Sequence, residues 1–384
     1  MRPVYLDNNA TTRTDGQVVA AMLPHFTECF GNPSSSHKFG AAARDATTRA
    51  RASVADLLGA RSDEIVFTSG GTEADTTAIL GALAVSGGRD EIVVSAVEHS
   101  AVLEVARQVN QSGRARAHVV GIDARGRLDR EAYSRALSER TAVVSIMTAN
   151  NETGVLFPVV ELAREAHQHG ALFHTDAVQA AGRMEFHFDA SGADFASISA
   201  HKFHGPKGVG ALCMRRGARL ASLFVGGKQE RGRRAGTENV PAIVGFGRAA
   251  EIAKARLAGD VARMRALRDR LEHGVKMLAP GAVVLGASEP RLANTSAIVF
   301  PDVEAEAIAI AMGRAGVAVS TGAACTVGAM ARSHVLEAMG VGVAYGAVRF
   351  SLSRDTDDDD IDAALSLLPD ILVRFAARKT AYAA

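Results

Sequence analysis

Through the first two thirds of the chain, short apolar runs alternate with helix-like stretches. Residues 64–68 (EIVFT), 91–94 (EIVV), 142–150 (AVVSIMTAN), 171–176 (ALFHTD) and 195–200 (FASISA) read as strands. Their apolar residues run almost without interruption, as in strands covered on both faces. Between them lie stretches such as PVVELAREAHQHG, with Pro158 at its start and Gly170 at its end. Proline near the first turn and glycine after the last are the usual helix boundaries. Such alternation admits few architectures and predicts an α/β fold on a large, mainly parallel sheet. Ligands of these sheets bind at the carboxyl ends of the strands, so residues that end the apolar runs are the first candidates for chemistry.

At 384 residues the chain is long for one domain. After about Lys254 the character changes to a long, charged helical stretch, followed by mixed strands (TSAIVF, AVRFSLS) and helices. The expected division is a large cofactor-binding domain over 14–257 and a smaller α+β domain from 1–13 and 258–384. Lys and Arg total 43 against 42 Asp and Glu, a net charge of +1. No basic excess points to nucleic acid or to an anionic membrane surface. No apolar stretch is long enough to cross a bilayer, and even 305–319 is broken by Glu306 and Arg314. The first residues, MRPVYLDNNATTRTD, lack the apolar run of a secretory signal. Three cysteines, Cys29, Cys213 and Cys325, make a poor disulfide framework and fit a reducing cytoplasm.

Three strand ends carry the candidate chemistry. In FTSGGTEAD a strand runs into a Ser-Gly-Gly-Thr turn and a helix, so Gly71 backbone and the Thr72 hydroxyl can hold a phosphate. Taken alone, that turn is equally a helix cap. In HTDAVQ, Asp176 ends an apolar strand and needs a partner there, such as a protonated ring nitrogen. Gln179 lies three residues on. In SISAHKFHGPKGVG, Lys202 ends the next strand and can form a Schiff base when desolvated. Lys207 lies in a Gly-Pro-Lys-Gly turn and is expected to be exposed. Together, a phosphate cradle, a strand-end Asp and a strand-end Lys are what pyridoxal phosphate requires.

With these residues in place the chain resembles a pyridoxal-phosphate enzyme of fold type I, the aspartate-aminotransferase-like fold. More narrowly it resembles the nitrogen-fixation type of cysteine desulfurase in the class-V aminotransferase family. The resemblance rests on YLDNNATT, FGNPSS, TSGGTEAD, EHSAVL, NNETG, HTDAVQ, SAHKFHGPKGVG, RGRRAGTEN, STGAACT and VRFSLSR, in that order. It implies that Lys202 carries the cofactor, that His99 stacks on the ring and assists proton transfer, and that Asp176 pairs with the ring nitrogen. It places Asn151 and Gln179 near the ring hydroxyl, and Gly71, Thr72, Ser199 and His201 on the phosphate. Thr237 would reach that phosphate from the other subunit of a homodimer. Arg354, with Asn151 nearby, would hold the substrate carboxylate.

Cys325 decides the reaction type. It lies in STGAACTVG, a glycine- and alanine-rich stretch expected to be an exposed loop. The resemblance implies that L-cysteine is the substrate, and that L-alanine and a persulfide on Cys325 are the products. An iron–sulfur scaffold protein would take the sulfur, with nitrogenase maturation as the destination, and Cys325 would serve as a transient iron–sulfur ligand. An aminotransferase or a selenocysteine lyase of the same fold stays open. A non-enzymatic sulfur carrier would not need Lys202 and Asp176 at neighbouring strand ends. His167, His169 and His174 crowd EAHQHGALFH, but without the His-Glu-x-x-His spacing of a metal hydrolase.

Overall fold

The computed structural model describes residues 2–301, 303–321, 333–342 and 346–382. The chain starts with β1 (Val4–Tyr5), then α1 (Gly16–Met22), α2 (Pro24–Thr27) and α3 (Lys38–Leu57). The large sheet follows: β2 (Ile65–Thr68), β3 (Glu91–Ser95), β4 (Arg116–Val120), β5 (Thr141–Ser145), β6 (Leu172–Asp176), β7 (Phe195–Ser199) and β8 (Gly210–Met214). Its spatial order is β2-β8-β7-β6-β5-β3-β4. All neighbours from β7 through β4 pair in parallel. Only β8 runs antiparallel to both of its neighbours.

The connecting helices are α4 (Gly71–Ala84), α5 (Ser100–Gln111), α6 (Arg130–Ala136), α7 (Val159–Gln168) and α8 (Phe188–Ser191). Helix α7 illustrates why they cover the sheet: it buries Val159, Leu162, Ala163 and Ala166, one stripe at helical spacing. Strands β2, β3, β5, β7 and β8 are buried throughout, and β6 is buried from Phe173 on, as the continuous apolar runs predict. Edge strand β4 was not among the predicted strands. Its sequence, RAHVV, is half exposed and carries no apolar run. The run predicted over 142–150 stops as a strand at Ser145. Beyond it the Glu98 carboxylate accepts from Met147 N (3.0 Å), and the Asn150 side chain accepts from Glu152 N and Thr153 N, which turns the chain.

The remainder comprises α9 (Val240–Leu278), β9 (Val283–Val284), β10 (Thr295–Val299), α10 (Ala305–Arg314), β11 (Val317–Ala318), α11 (His334–Ala338), β12 (Ala347–Ser351) and α12 (Asp358–Tyr382). A three-stranded antiparallel sheet of order β12-β10-β9 stands here, and β1 pairs with β11. The position expected for the division, 257/258, falls inside α9. Its residues Ala242 to Ala253 pack into the core of the large sheet, whereas Met264 to Val275 pack into the second core with Phe350 and Ile361. Among the described residues no helix is long and apolar enough to cross a membrane.

Candidate active site

Strand direction gathers the site. Strands β3, β5, β6 and β7 are parallel, and β2, antiparallel to β8, points the same way as β7. Their carboxyl ends therefore share one edge. A cavity of about 370 Å³ lies there, within the size range of small-molecule sites. Lys202, Asp176, His99 and Gln179 line it, as do Gly71 and Thr72 from the start of α4. Asn151, Ser199 and His201 complete the group of expected residues that the fold brings together. Glycine at 71 is required by space: a Cβ there would come within 2.9 Å of Val178 Cγ2 and would fill the cradle beside Ser199.

Lys202 stands in the short turn that follows β7. Its ammonium donates to Asn9 O (2.6 Å) and Ala10 O (2.9 Å). The N-terminal segment that supplies these carbonyls is clamped in turn. Asn9 N donates to Ser351 Oγ (2.9 Å), Thr12 N to His201 O (2.9 Å), and Gln179 Nε2 to Asn9 O (3.1 Å). Buried Arg183 donates to Asn9 Oδ1 (2.7 Å), Asn8 O (2.7 Å) and Lys202 O (2.9 Å). The Asn9-Ala10 stretch of YLDNNATT thus holds the lysine, a role that sequence reading did not assign to it. Lys207, by contrast, is exposed.

Asp176 is buried, and one carboxylate oxygen accepts from Val178 N (2.8 Å). Burial pushes its pKa up, while His99, the Val178 amide and Lys202 pull it back. His99 caps α5, its Nδ1 accepting from Ala101 N (3.2 Å). That bond leaves the proton of the neutral ring on Nε2. Burial favours the neutral ring. His201 is held near neutral too, lowered to about 4 by burial and by the nearby lysines, with Thr11 Oγ1 at 3.1 Å from its Nδ1.

Two expected residues do not line this cavity, and a third lies outside the described residues. Arg354 lies past the end of β12 and pairs with Asp15 (2.5 Å), the cap of α1. Among the described residues the arginine that lines the cavity is Arg349. It sits within β12, where alternate side chains face opposite ways. Val348 and Phe350 enter the second core, and Arg349 turns to the N-terminal segment. Its Nη1 donates to Asn151 O (3.0 Å), its Nη2 to Asp7 Oδ1 (2.7 Å), and its buried Nε has no partner among the described residues. Thr237 is exposed and does not line the cavity. Cys325 lies outside the described residues. The residues on either side of the undescribed segment are tied down: Ser320 exchanges backbone bonds with Arg349, Ser333 Oγ donates to Glu152 (2.6 Å), and His334 Nε2 lies 2.9 Å from Glu98 O. The histidines of EAHQHGALFH form no cluster: His167 bonds Asp194 (2.8 Å), whereas His174 bonds Ser145 and Ser197.

Behind His99, Glu98 is fully buried and accepts from Ser95 Oγ (2.5 Å) and Met147 N (3.0 Å). Burial pushes it from 4.5 up to about 8. Between those values the folded state holds a proton that the unfolded state has released, so Glu98 makes stability fall as pH rises through that window. Glu98→Gln removes this titration. Its melting temperature relative to wild type should rise between about pH 5 and about pH 8.5. A difference that stays constant with pH would show that Glu98 does not titrate there.

The sequence matches the aminotransferase class-V family over residues 4–364. The chain belongs to the class-V aminotransferase family. A cysteine desulfurase of Gluconacetobacter diazotrophicus is 55% identical over 97% of this chain and 94% of its own. The cysteine desulfurase NifS of Azotobacter vinelandii is 48% identical over the same shares, 97% and 94%. A solved NifS-like protein superimposes with a TM-score of 0.90 at 38% identity, covering 97% of this chain and 99% of that one. Class-V aminotransferases work with pyridoxal phosphate, and the cavity fits it. The Gly71 cradle and the α4 N-terminus offer amide donors to a phosphate. Buried Asp176 suits a protonated ring nitrogen, and Lys202 lies within the same walls for an aldehyde.

Proposed function

We propose that the chain is a pyridoxal-phosphate-dependent cysteine desulfurase, taking sulfur from L-cysteine and leaving L-alanine. The observation that carries the reading is the meeting of Lys202, Asp176, His99 and Arg349 in one cavity with the Gly71–Thr72 turn. The cofactor supplies an electron sink that lets a Cα–H bond of an amino acid break. Asp176 holds the negative charge that keeps the ring nitrogen protonated. Lys202 would hold the cofactor through its aldehyde, and its amine is the group that would move the proton at Cα. His99 would lie against the cofactor and would share in proton movement through Nε2. Gly71, Thr72, Ser199 and His201 hold the phosphate, and Gln179 and Asn151 fix the ring side of the pocket. Arg349, not Arg354, grips the substrate carboxylate through its unpartnered Nε and its forked nitrogens.

Cys325 acts as a thiolate on the substrate sulfur. The Cβ–S bond breaks, the S–S bond of a cysteine persulfide forms, and the carbon skeleton leaves as alanine, with no outside oxidant. A thiol reductant or an acceptor protein then removes the sulfur. The acceptor is an iron–sulfur scaffold protein, nitrogenase maturation is the destination, and Cys325 serves as a transient cluster ligand there. The enzyme is a homodimer in which Thr237 reaches the partner's phosphate site. Exposed Leu23, Phe26, Phe30 and Phe39 support a covered face, with the Phe30 and Phe39 rings stacked 5.6 Å apart. A working thiolate suits a reducing cytoplasm.

The test is product stoichiometry from L-cysteine with a thiol reductant. Alanine and sulfide should appear in equal amounts, and Cys325→Ser should stop sulfide release while the cofactor stays bound. Pyruvate in place of alanine, or full sulfide release by Cys325→Ser, would instead indicate a lyase or transaminase.

A further inference from the structure

Beneath the cavity floor lies a hydrogen-bonded row that the proposed reaction does not use. Strand β6 places His174 and Asp176 on the same face, two residues apart. Ser145 of β5 stands in register with His174, and Ser197 of β7 with Asp176. His174 joins the three strands: Nδ1 lies 2.8 Å from Ser145 Oγ and Nε2 lies 2.9 Å from Ser197 Oγ. The Ser197 hydroxyl also bonds Asp75. Asp75 lies one turn past Gly71 on α4, so it faces the same cavity and lines it beside Asp176. It is 1% exposed, and its Oδ1, 3.5 Å from His174 Nε2, has no hydrogen-bond partner among the described residues.

Two carboxyl groups thus share the floor, and their surroundings differ. Asp176 has the Val178 amide, His99 and Lys202 on its side. Among the described residues no cation offsets Asp75; burial above all, and then the charge of Asp176, oppose its ionisation, and only the Ser197 hydroxyl favours it. His174 cannot supply a charge, because burial holds it neutral, down to about 3. The nearest acidic neighbour on α4, Glu73, is already paired with Arg234 (2.9 Å). A second bare carboxylate here would be costly.

We propose that Asp75 is a positioning residue for Asp176, standing as a neutral acid that confines the floor's single negative charge to Asp176. The role rests on the reading that the cofactor ring sits in this cavity. Hydrogen-bond polarity follows from it. The Asp75 O–H donates to Ser197 Oγ, the Ser197 hydroxyl donates to His174 Nε2, and His174 Nδ1–H donates to Ser145 Oγ. An ionised Asp75 would reverse every arrow and put the His174 proton on Nε2. The ring's tautomer therefore reports the state of Asp75.

The experiment is nitrogen-15 NMR of histidine-labelled, pyridoxal-phosphate-loaded protein near neutral pH, with His174→Gln used to assign the signal. The expected result is a neutral ring protonated at Nδ1. Asp75→Asn should keep that tautomer, because the amide N–H replaces the acid O–H. A ring protonated at Nε2 in the wild type overturns the proposal. An infrared measurement on the unmutated protein stands beside it: a carboxylic-acid C=O band should shift on carbon-13 labelling of aspartate, and its absence would also overturn the proposal. Failure of the desulfurase reading looks different, since it would remove alanine production while leaving the tautomer at Nδ1.

Discussion

Lys202→Ala should lose the visible absorption of the covalently held cofactor and turn over L-cysteine slower by roughly 10²–10⁴-fold or more. The size of the loss follows from the two tasks assigned to one amine, anchoring the aldehyde and moving the Cα proton. The fold should survive, because the side chain is only partly buried and its ammonium bonds two backbone carbonyls at the cavity wall. Far-ultraviolet circular dichroism and the melting temperature check that point. Lys207→Ala is the matched control: it removes the same charge five residues away, at an exposed position outside this cavity. Equal losses in both variants would mean that positive charge near the cavity matters rather than the Lys202 amine. An unchanged absorption spectrum in Lys202→Ala would remove Lys202 from the cofactor site altogether.

How much of this site can be read from the chain depends on which residues are local to strand ends. Asp176 and Lys202 were legible because each closes an apolar run, and parallel pairing brings such ends to one edge. The Gly70–Gly71 turn was legible for the same reason. Asn9 and Arg183 were not, because their work is long-range: Asn9 meets Gln179 across 170 residues and Lys202 across 193, and Arg183 reaches Asn9 across 174. Asp75 reads as one more polar position in a helix. Only the packing of α4 over the sheet turns it toward Asp176. The edge strand β4 escaped because half-exposed strands lose the apolar continuity that marked the others. Strand β8 has that continuity in GALCM, but nothing local in its sequence distinguishes its antiparallel direction from that of its neighbours.

The choice of arginine gives the sharpest test of the geometry. The family resemblance, carried onto VRFSLSR, points to Arg354, the residue after the strand. Strand alternation resolves the matter: with Val348 and Phe350 committed to the second core, Arg349 must face the other way, toward the cavity. Losing a forked, charge-assisted contact costs about 3 kcal/mol, so Arg349→Gln should lower kcat/KM for L-cysteine roughly 150-fold, mostly through KM. Arg354→Gln should change KM little. It should instead lower the melting temperature by a few degrees, because Asp15 at the α1 cap loses its partner in a largely buried pair. The reverse pattern, with KM raised by Arg354→Gln and stability alone altered by Arg349→Gln, would return the carboxylate clamp to Arg354. That outcome would also require Arg354 to leave Asp15, since as it stands it pairs there and does not line the Lys202–Asp176 cavity.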